Sequence, residues 1–505
     1  MKRIHLAFAI TVLTWLGFSH LFLAKPQPAA SSVETVKIDW TKVLRVSKTT
    51  ATLQVVVNPM LRPPSPIHDQ IFRAVKNLQP DYVRYCPWFP YPKLAVAELE
   101  PPHDGKTSWD FSLIDPITVD TFAATAGHPL VVNFSTIPVW MFKTPEPVPY
   151  PADPDQVDWN YLGGTELRDP SMKELGDYWT RVAEWYTQGG FTDEYGKWHG
   201  SNHHFTITDW EVLNEIQGEH HLTPEGYARI YDATVEAVRR VSPQTHFVGL
   251  GLPNPSGLPD YVDYFLDHKH HKPGIPLDLI AYHFYAHGVD GEPFDAHQYS
   301  FFTEADYWLS VVGYIEVIRQ RLSPETKTDI NELGTYTWED TRQDKPGSVF
   351  KPLPDAWWNL SAAVYAYVYG NLARKGIDIV GESQMVGYPS QFPSVSMVDW
   401  KTGQPNAKYW VLKLLLDNLS PGDKLVDTQV DVRDVYAQGF LTRQGGKKIL
   451  LVNKRETPRD LSIAGMRGGR LQVVDKAFEP AASSGLSDDR LTLQGFAVAV
   501  LMLAP

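Results

Sequence analysis

The sequence holds a single cysteine, Cys86, in 505 residues. No intramolecular disulfide can form, so the folded chain depends on its hydrophobic core for stability. No stretch is rich in Lys or Arg and the formal net charge is -13. Phosphate backbones need a basic face, so the composition argues against a nucleic-acid partner. No Gly-rich phosphate loop follows the first β-type run, which removes the main signal for a nucleotide-binding open sheet. No His-Glu-x-x-His segment occurs, although His203-His204, His220-His221 and His268-Lys269-His270-His271 enrich the chain in possible ligands. Adjacent histidines on a strand point to opposite faces, so these pairs read as solvated loop residues and no metal or other cofactor is expected. Internal repeats and low-complexity segments are also missing.

What is present is a chain able to bury a large core, with 43% hydrophobic and 21% charged residues. Its length exceeds one ordinary compact domain and suits a large barrel with a small accessory domain. Aromatics are plentiful, with 16 Trp and 24 Tyr, and flat apolar rings with polar tips suit a sugar-binding cleft as well as a core. Lys2 and Arg3 precede an apolar run over 4–24, interrupted only by Thr, Ser, Gly and two His. Residues 1–24 thus read as a secretory signal peptide or an uncleaved N-terminal anchor, and the expected location is secreted or periplasmic. Membrane contact is expected only through such an anchor.

Eight β-type runs fall at 53–57, 81–85, 129–134, 209–213, 246–250, 277–281, 327–330 and 377–380. Helix-length segments lie between them at 172–188, 227–241, 304–321, 357–375 and 407–418. In 227–241 the apolar residues recur at three-and-four spacing, behind Thr223 as N-cap and Pro224 at the first helical position. Strands alternating with helices predict an α/β fold with a parallel sheet, and eight units predict a closed (β/α)8 TIM barrel over 50–419. After about residue 420 the pattern shifts to short alternating runs at 435–442, 448–452, 470–474 and 497–503. These predict an accessory β-sandwich of 420–505, to which the β-like stretch 33–46 adds a strand. Three Asn-x-Ser sequons occur, at Asn133, Asn359 and Asn418.

In a parallel barrel the active site lies at the carboxyl ends of the strands, so polar residues directly after each run carry the chemistry. Asp209-Trp210-Glu211-Val212-Leu213-Asn214-Glu215 is a strand ending in an Asn-Glu pair, and Thr328-Asp329-Ile330-Asn331-Glu332 ends the seventh run the same way. Two carboxyls at one barrel face are the machinery for cleaving an acetal: one protonates the leaving oxygen, and the other attacks or activates water. A separation of about 5 Å gives retention and roughly 6.5–9.5 Å inversion. The competing reading of either Glu is a helix cap or an ion pair with Arg.

In the order of these segments the chain resembles the clan of (β/α)8 retaining glycoside hydrolases and, within it, glycoside hydrolase family 39, which includes β-xylosidases and α-L-iduronidases. The likeness spans roughly residues 50 to 420. It rests on Asn133-Phe134-Ser135-Thr136-Ile137-Pro138-Val139-Trp140, on Trp210-Glu211-Val212-Leu213-Asn214-Glu215, and on Ile280-Ala281-Tyr282-His283-Phe284-Tyr285. The resemblance implies Glu215 as acid/base, Glu332 as nucleophile, Asn214 as a ligand of the sugar 2-hydroxyl, and His283 or Tyr285 as groups beside the nucleophile. It further implies an oligo- or polysaccharide substrate cleaved by an exo-acting, β-xylosidase-like enzyme. Ile216 stands where the family usually has proline, and Asn331 where threonine is commoner. An arabinofuranosidase-type or endo-acting hydrolase of the same clan is the nearest alternative, and a non-catalytic sugar-binding barrel the more distant one.

Arg84, at the end of the second run, is the candidate to keep Glu332 ionised, or else a structural ion pair in the barrel mouth. His283 is a hydrogen-bond partner for substrate or carboxylate, or a satisfied core group. Trp140 and Trp338 follow the third and seventh strands and are candidates to stack on sugar faces or to serve as walls. Glu382, ending the eighth run, is a candidate hydroxyl ligand.

Overall fold

The computed structural model describes residues 33–161, 164, 166–342, 352–476, 480 and 484–503. The N-terminal segment 1–24, read above as signal or anchor, lies outside them. Among the described residues no helix is long and apolar enough to cross a membrane.

A first long strand, β1 (Glu34–Val46), precedes eight barrel strands: β2 (Thr50–Val56), β3 (Val83–Cys86), β4 (Leu130–Val132), β5 (Asp209–Glu211), β6 (His246–Leu252), β7 (Leu279–Ala286), β8 (Lys327–Thr335) and β9 (Ile379–Glu382). Each pairs in parallel with its successor, and β9 closes on β2 with Ile379 opposite Thr50. All eight β-type runs read from the sequence become barrel strands. The (β/α)8 barrel is therefore the fold, as the strand–helix alternation requires.

Among the described residues eight helices surround the barrel: α1 (His68–Leu78), α2 (Asp115–Ala124), α3 (Lys173–Thr187), α4 (Pro224–Arg239), α5 (Pro259–Leu266), α6 (His297–Leu322), α7 (Asp355–Lys375) and α8 (Ala407–Asn418). The start of α4 follows its cap chemistry, since Thr223 Oγ1 accepts from Gly226 N at 3.1 Å and Pro224 opens the first turn. Periodicity did not reveal α1, α2 or α5. In α2 only Ile117, Thr118 and Thr121 are buried, and α5 has just eight residues, so neither offers enough turns for a 3.6-residue repeat to show. Helix α6 starts seven residues before the predicted 304, because Phe301 and Phe302 are buried in an early turn that the sequence pattern assigned to a loop.

Helix α7 is buried on all sides from Asn359 to Gly370. It lies between β8 and β9 of the barrel and two strands of the accessory sheet, which removes any need for a polar face. That sheet comprises β10 (Lys424–Val430), β11 (Val435–Leu441), β12 (Lys447–Asn453), β13 (Arg459–Ile463), β14 (Arg470–Val474), β15 (Ser484–Gly485), β16 (Arg490–Leu493) and β17 (Val498–Met502). With β1 it forms one continuous nine-stranded sheet, in the order β15-β14-β17-β12-β11-β10-β1-β13-β16. Strand β1 runs antiparallel to β10, with Val36 opposite Val430, and parallel to β13. Val36, Ala437, Leu451, Leu461, Leu493 and Leu501 share one apolar core, so the sheet curls over itself.

Several sequence expectations about exposure change. His220 and His271 are buried, not solvated, and His271 is clamped between Asp232 Oδ1 at 2.6 Å and Phe265 O at 2.7 Å. Asn133, Asn359 and Asn418 are all buried, which closes the three sequons to modification of the folded protein.

Strand β6 carries Gly249 directly beneath the Phe265 ring of α5, and a Cβ there would lie 2.2 Å from Phe265 Cζ. Phe265 is itself buried and cannot swing clear. Gly249→Ala is therefore expected to destabilise by about 1–3 kcal/mol through overpacking. Chemical unfolding should show this loss, and Gly249→Ala combined with Phe265→Leu should recover part of it. Equal stability of the single variant and wild type would refute the packing.

Candidate active site

The carboxyl ends of the barrel strands converge on a cavity of about 880 Å³. Beneath its floor, out of reach of the cavity itself, stands Arg84, on β3 and 1% exposed. Its Nε donates to Glu211 Oε2 at 2.5 Å, Nη1 to Gln54 Oε1 at 2.7 Å and Glu332 Oε1 at 2.6 Å, and Nη2 to Glu211 Oε1 at 3.1 Å and Asn214 Oδ1 at 2.6 Å. A guanidinium has five N–H donors in a fixed fork, and each has an acceptor here. Burial opposes its charge, but Glu211 and Glu332 outweigh that and hold Arg84 well above its ordinary range.

Glu332 gives one oxygen to this fork as acceptor and turns the other toward the cavity. Tyr285 donates its hydroxyl proton to Glu332 Oε2 at 2.8 Å, and His283 Nδ1 lies 3.6 Å from the same oxygen. Burial raises the Glu332 carboxyl, yet His283, Arg84 and the Tyr285 hydrogen bond overcome it and hold Glu332 below the usual 4.5. His283 Nδ1 also faces Glu215 Oε1 at 3.0 Å. Burial disfavours its imidazolium, but Glu332 and Glu215 prevail and raise His283 above 6.5. Glu215, His283 and Glu332 are the one His/Asp/Glu/Cys group of three among the described residues whose ligand atoms cluster within 4.8 Å. A cation could in principle share these three atoms. Both Glu332 oxygens already face cationic or O–H donors, though, so its charge is compensated by the protein itself.

Local backbone irregularities aim these side chains. Consecutive residues of a strand point to opposite faces, yet Asn331 and Glu332 both reach the barrel interior, where Asn331 Nδ2 donates to Glu211 Oε1 at 2.9 Å. The pairing of β8 shifts register between Asp329 and Glu332 against β7 and between Ile330 and Leu333 against β9; this is a bulge that turns Glu332 inward. After β5 the chain adopts positive φ at Leu213 (66°) and Glu215 (40°), a costly conformation that presents Asn214 and Glu215 to the cavity. Ile216, at the position of the usual proline, is fully buried.

Six of the predicted residues meet here: Glu215, Glu332, Asn214, His283, Tyr285 and Arg84. Three do not. Trp140 donates its indole N–H to Glu98 O at 2.9 Å, lies under the Arg168 guanidinium at 4.5 Å and faces a separate cavity. Trp338 packs edge-on against His287 and does not line the catalytic-end cavity. Glu382 is fully buried beside Lys408 Nζ at 3.3 Å, and burial pushes its carboxyl up to about 8 against the opposing pull of Lys408. It points behind the barrel wall, because it is the last residue of β9 on the face opposite the cavity. The rings that do line the cavity include Trp88, Trp159, Tyr336 and Phe392. Trp88, two residues beyond β3, was legible as a strand-end residue, whereas Trp159 comes from a long loop with no periodic signal. Glu211 was findable by strand parity with Asp209; Glu219 was not, since it lies in an irregular turn.

No protein-family model matches the chain, and no curated protein matches it by sequence. Solved structures do. A family 51 arabinofuranosidase from Xanthomonas axonopodis pv. citri superposes with a TM-score of 0.61 at 12% identity, covering 94% of this chain and 100% of its own. A family 51 α-L-arabinofuranosidase from Bifidobacterium longum gives 0.61 at 13%, covering 93% and 99%. A family 39 β-xylosidase from Caulobacter crescentus gives 0.59 at 14%, covering 93% and 100%. The chain has the fold of these enzymes. The match covers the accessory sheet as well as the barrel, since it spans nearly the whole described chain.

The charge pattern sets a pH dependence for stability. His283 is raised in the folded state, so its contribution is complete below 6.5 and is lost as pH rises through the folded value. Glu332 is lowered, so its contribution is present above 4.5 and is lost as pH falls through its folded value. The melting-temperature gap between wild type and His283→Asn should be widest at about pH 5–6 and narrow steadily toward about pH 9. A gap that widened with pH would contradict a protonated His283.

Proposed function

We propose that the protein is an exported retaining glycoside hydrolase, with Glu332 as nucleophile and Glu215 as general acid/base. The observation that carries this reading is the spacing of the two carboxylates, which share the His283 imidazole and have ligand atoms within 4.8 Å. Retaining enzymes need about 5–5.5 Å between carboxyls, while inversion needs roughly 6.5–9.5 Å to admit water. Glu332, held ionised by Arg84 and Tyr285, attacks the anomeric carbon as Glu215 protonates the departing oxygen. Glu215 then takes a proton from the water that releases the sugar.

The cavity also bears on the substrate. Its carboxyl- and imidazole-bearing lining residues are Glu215, Glu219, Glu304, Glu332, His283 and His287, and no Lys or Arg lines it among the described residues. Such a site supports a neutral sugar over a uronide or sulfated one, since an anion would meet several carboxyls with no free cation. The cavity volume falls in the range of about 300–1,000 Å³ typical of bounded ligand sites, which favours an exo-acting, β-xylosidase-like enzyme over an endo-acting one. Similar structures named as a β-xylosidase, an arabinofuranosidase and a glucosidase act on neutral sugars, in keeping with this reading. Export follows from the segment over 4–24.

Purified protein incubated with aryl glycosides of neutral and acidic sugars, followed by proton NMR, should release the first-formed sugar with retained configuration. Glu215→Gln and Glu332→Gln should each lower kcat by about a hundred- to ten-thousand-fold or more. Activity should persist in EDTA. First-formed product of inverted configuration would remove Glu332 as nucleophile, and turnover of uronides alone would overturn the neutral-sugar reading.

A further inference from the structure

Two polar side chains that the double displacement does not use, Gln54 of β2 and Ser383 directly after β9, join the hydrogen bonds around the nucleophile. Ser383 is fully buried and does not line the catalytic-end cavity. Its backbone is pinned at both polar groups: the N–H donates to Leu333 O at 2.9 Å, and the carbonyl accepts from Lys408 Nζ at 2.5 Å. Its Oγ meets Gln54 Nε2 on one side and the Tyr285 hydroxyl on the other. Gln54 Nε2 also reaches the Tyr285 hydroxyl, at 3.3 Å.

We propose that Ser383 is a positioning residue for the nucleophile, the link that closes a one-way circuit of hydrogen bonds from Arg84 through Gln54, Ser383 and Tyr285 to Glu332. The inference rests on the hydrolase reading above. Proton counting fixes the direction of every bond. Arg84 can only donate, so its Nη1 takes Gln54 Oε1 and turns the Gln54 amide nitrogen toward Ser383. That nitrogen can only donate, so Ser383 Oγ accepts from it and keeps its own proton for Tyr285. An ionised Glu332 can only accept, so the single Tyr285 proton goes to Glu332 Oε2 and the phenol oxygen accepts from Ser383. The circuit returns to its origin because Arg84 Nη1 also donates to Glu332 Oε1, at 2.6 Å. Each bond in such a chain polarises the next, so a phenol that accepts from Ser383 and Gln54 donates more strongly to the carboxylate. A carboxylate held by a stronger donor is less basic, and it departs more readily when water releases the sugar. The titratable groups that face Glu332 are Arg84 and Cys86 on β3, Glu215 and Glu219 after β5, and His283 and Tyr285 on β7. Of these, Ser383 hydrogen-bonds to Tyr285 alone.

Ser383→Ala removes the hydroxyl, and Ser383→Cys keeps the volume with a weak donor. Full-length protein labelled with ¹³Cζ-tyrosine allows the Tyr285 phenol to be followed during a pH titration. Its resonance is assigned by its loss in Tyr285→Phe, and its acid titration is assigned to Glu332 by its loss in Glu332→Gln. The midpoint should rise by about half to one pH unit in Ser383→Ala, the scale of one lost hydrogen bond, and by less in Ser383→Cys. On whichever aryl glycoside the wild type cleaves, the acid limb of kcat/KM should move up by the same interval while the basic limb stays in place. Because Ser383 touches no ligand, kcat should fall about three- to tenfold with KM within about twofold of wild type. In a Tyr285→Phe background, Ser383→Ala should change neither the acid limb nor kcat further. A midpoint and acid limb at wild-type values in folded Ser383→Ala or Ser383→Cys, full additivity with Tyr285→Phe, or a Tyr285 resonance blind to Glu332 would overturn the circuit and leave the hydrolase reading standing. A raised midpoint in a protein whose wild type turns over no glycoside would sink the hydrolase reading and leave the circuit.

Discussion

Everything at the carboxyl end of the barrel is arranged around one guanidinium. Arg84 is sealed from solvent, and a buried cation is tolerable only if its charge and all its N–H groups are answered. Glu211 answers two donors, and Gln54, Glu332 and Asn214 take the rest, so residues from β2, β5, the turn after β5 and β8 are tied to the single planar fork carried by β3. The geometry is directional as well as electrostatic. Lysine would supply a point charge but could not set the orientation of four partners at once. Removing Arg84 would leave Glu211 as an uncompensated buried carboxylate, so the same residue that aims the site also holds this end of the barrel together.

The backbone departs from regular geometry where it serves this fork. Without the bulge in β8, either Asn331 or Glu332 would face the helices, and the fork would lose one acceptor or its aim. Without left-handed backbone at Leu213 and Glu215, the turn after β5 could not bring Asn214 and Glu215 onto the same side. Each such residue costs about 1–3 kcal/mol, so these positions persist only because the buried network over-determines them. Gly251, at φ 55°, lies beside this turn, and a Cβ there would come within 3.1 Å of Glu211 Oε1. The small residue thus leaves room for the carboxylate that anchors Arg84.

The barrel was legible because its strands are apolar runs separated by helices of regular period, and the register of parallel strands leaves little freedom in their order. Glu215, Glu332, Arg84, His283 and Tyr285 were legible because strand ends are where a barrel exposes side chains. What the sequence did not disclose belongs to irregular chain. Trp159 and Phe392 reach the cavity from loops, and Glu219 sits in a turn set by positive φ. Trp140, Trp338 and Glu382 satisfied the strand-end rule but not the packing: Trp140 is taken up by Glu98 and Arg168, Trp338 by His287, and Glu382 by Lys408. Position along a strand predicts which residues can reach the cavity. It does not predict which of them a neighbour has already claimed.

The same accounting bears on how the proposed reaction keeps its protons in order. While Glu332 is ionised, its charge helps to hold His283 protonated against the burial that opposes it. Once Glu332 is esterified to the sugar, that charge is gone, whereas Arg84 and Glu211 remain unchanged below it. The imidazolium then rests on Glu215 alone, through the 3.0 Å contact at Nδ1. A group held between two carboxyls thus turns wholly to one, and its Nδ1 contact orients Glu215 at the step where Glu215 must accept a proton from water. Glu219 stands beside them with Oε1 already engaged by Trp88 and Asn214, and burial, then the Glu215 charge, raise its carboxyl above the ordinary 4.5. Glu215, Glu219 and Glu332 are therefore set apart by what each one touches, and the division of labour is decided by the neighbours of the carboxyls.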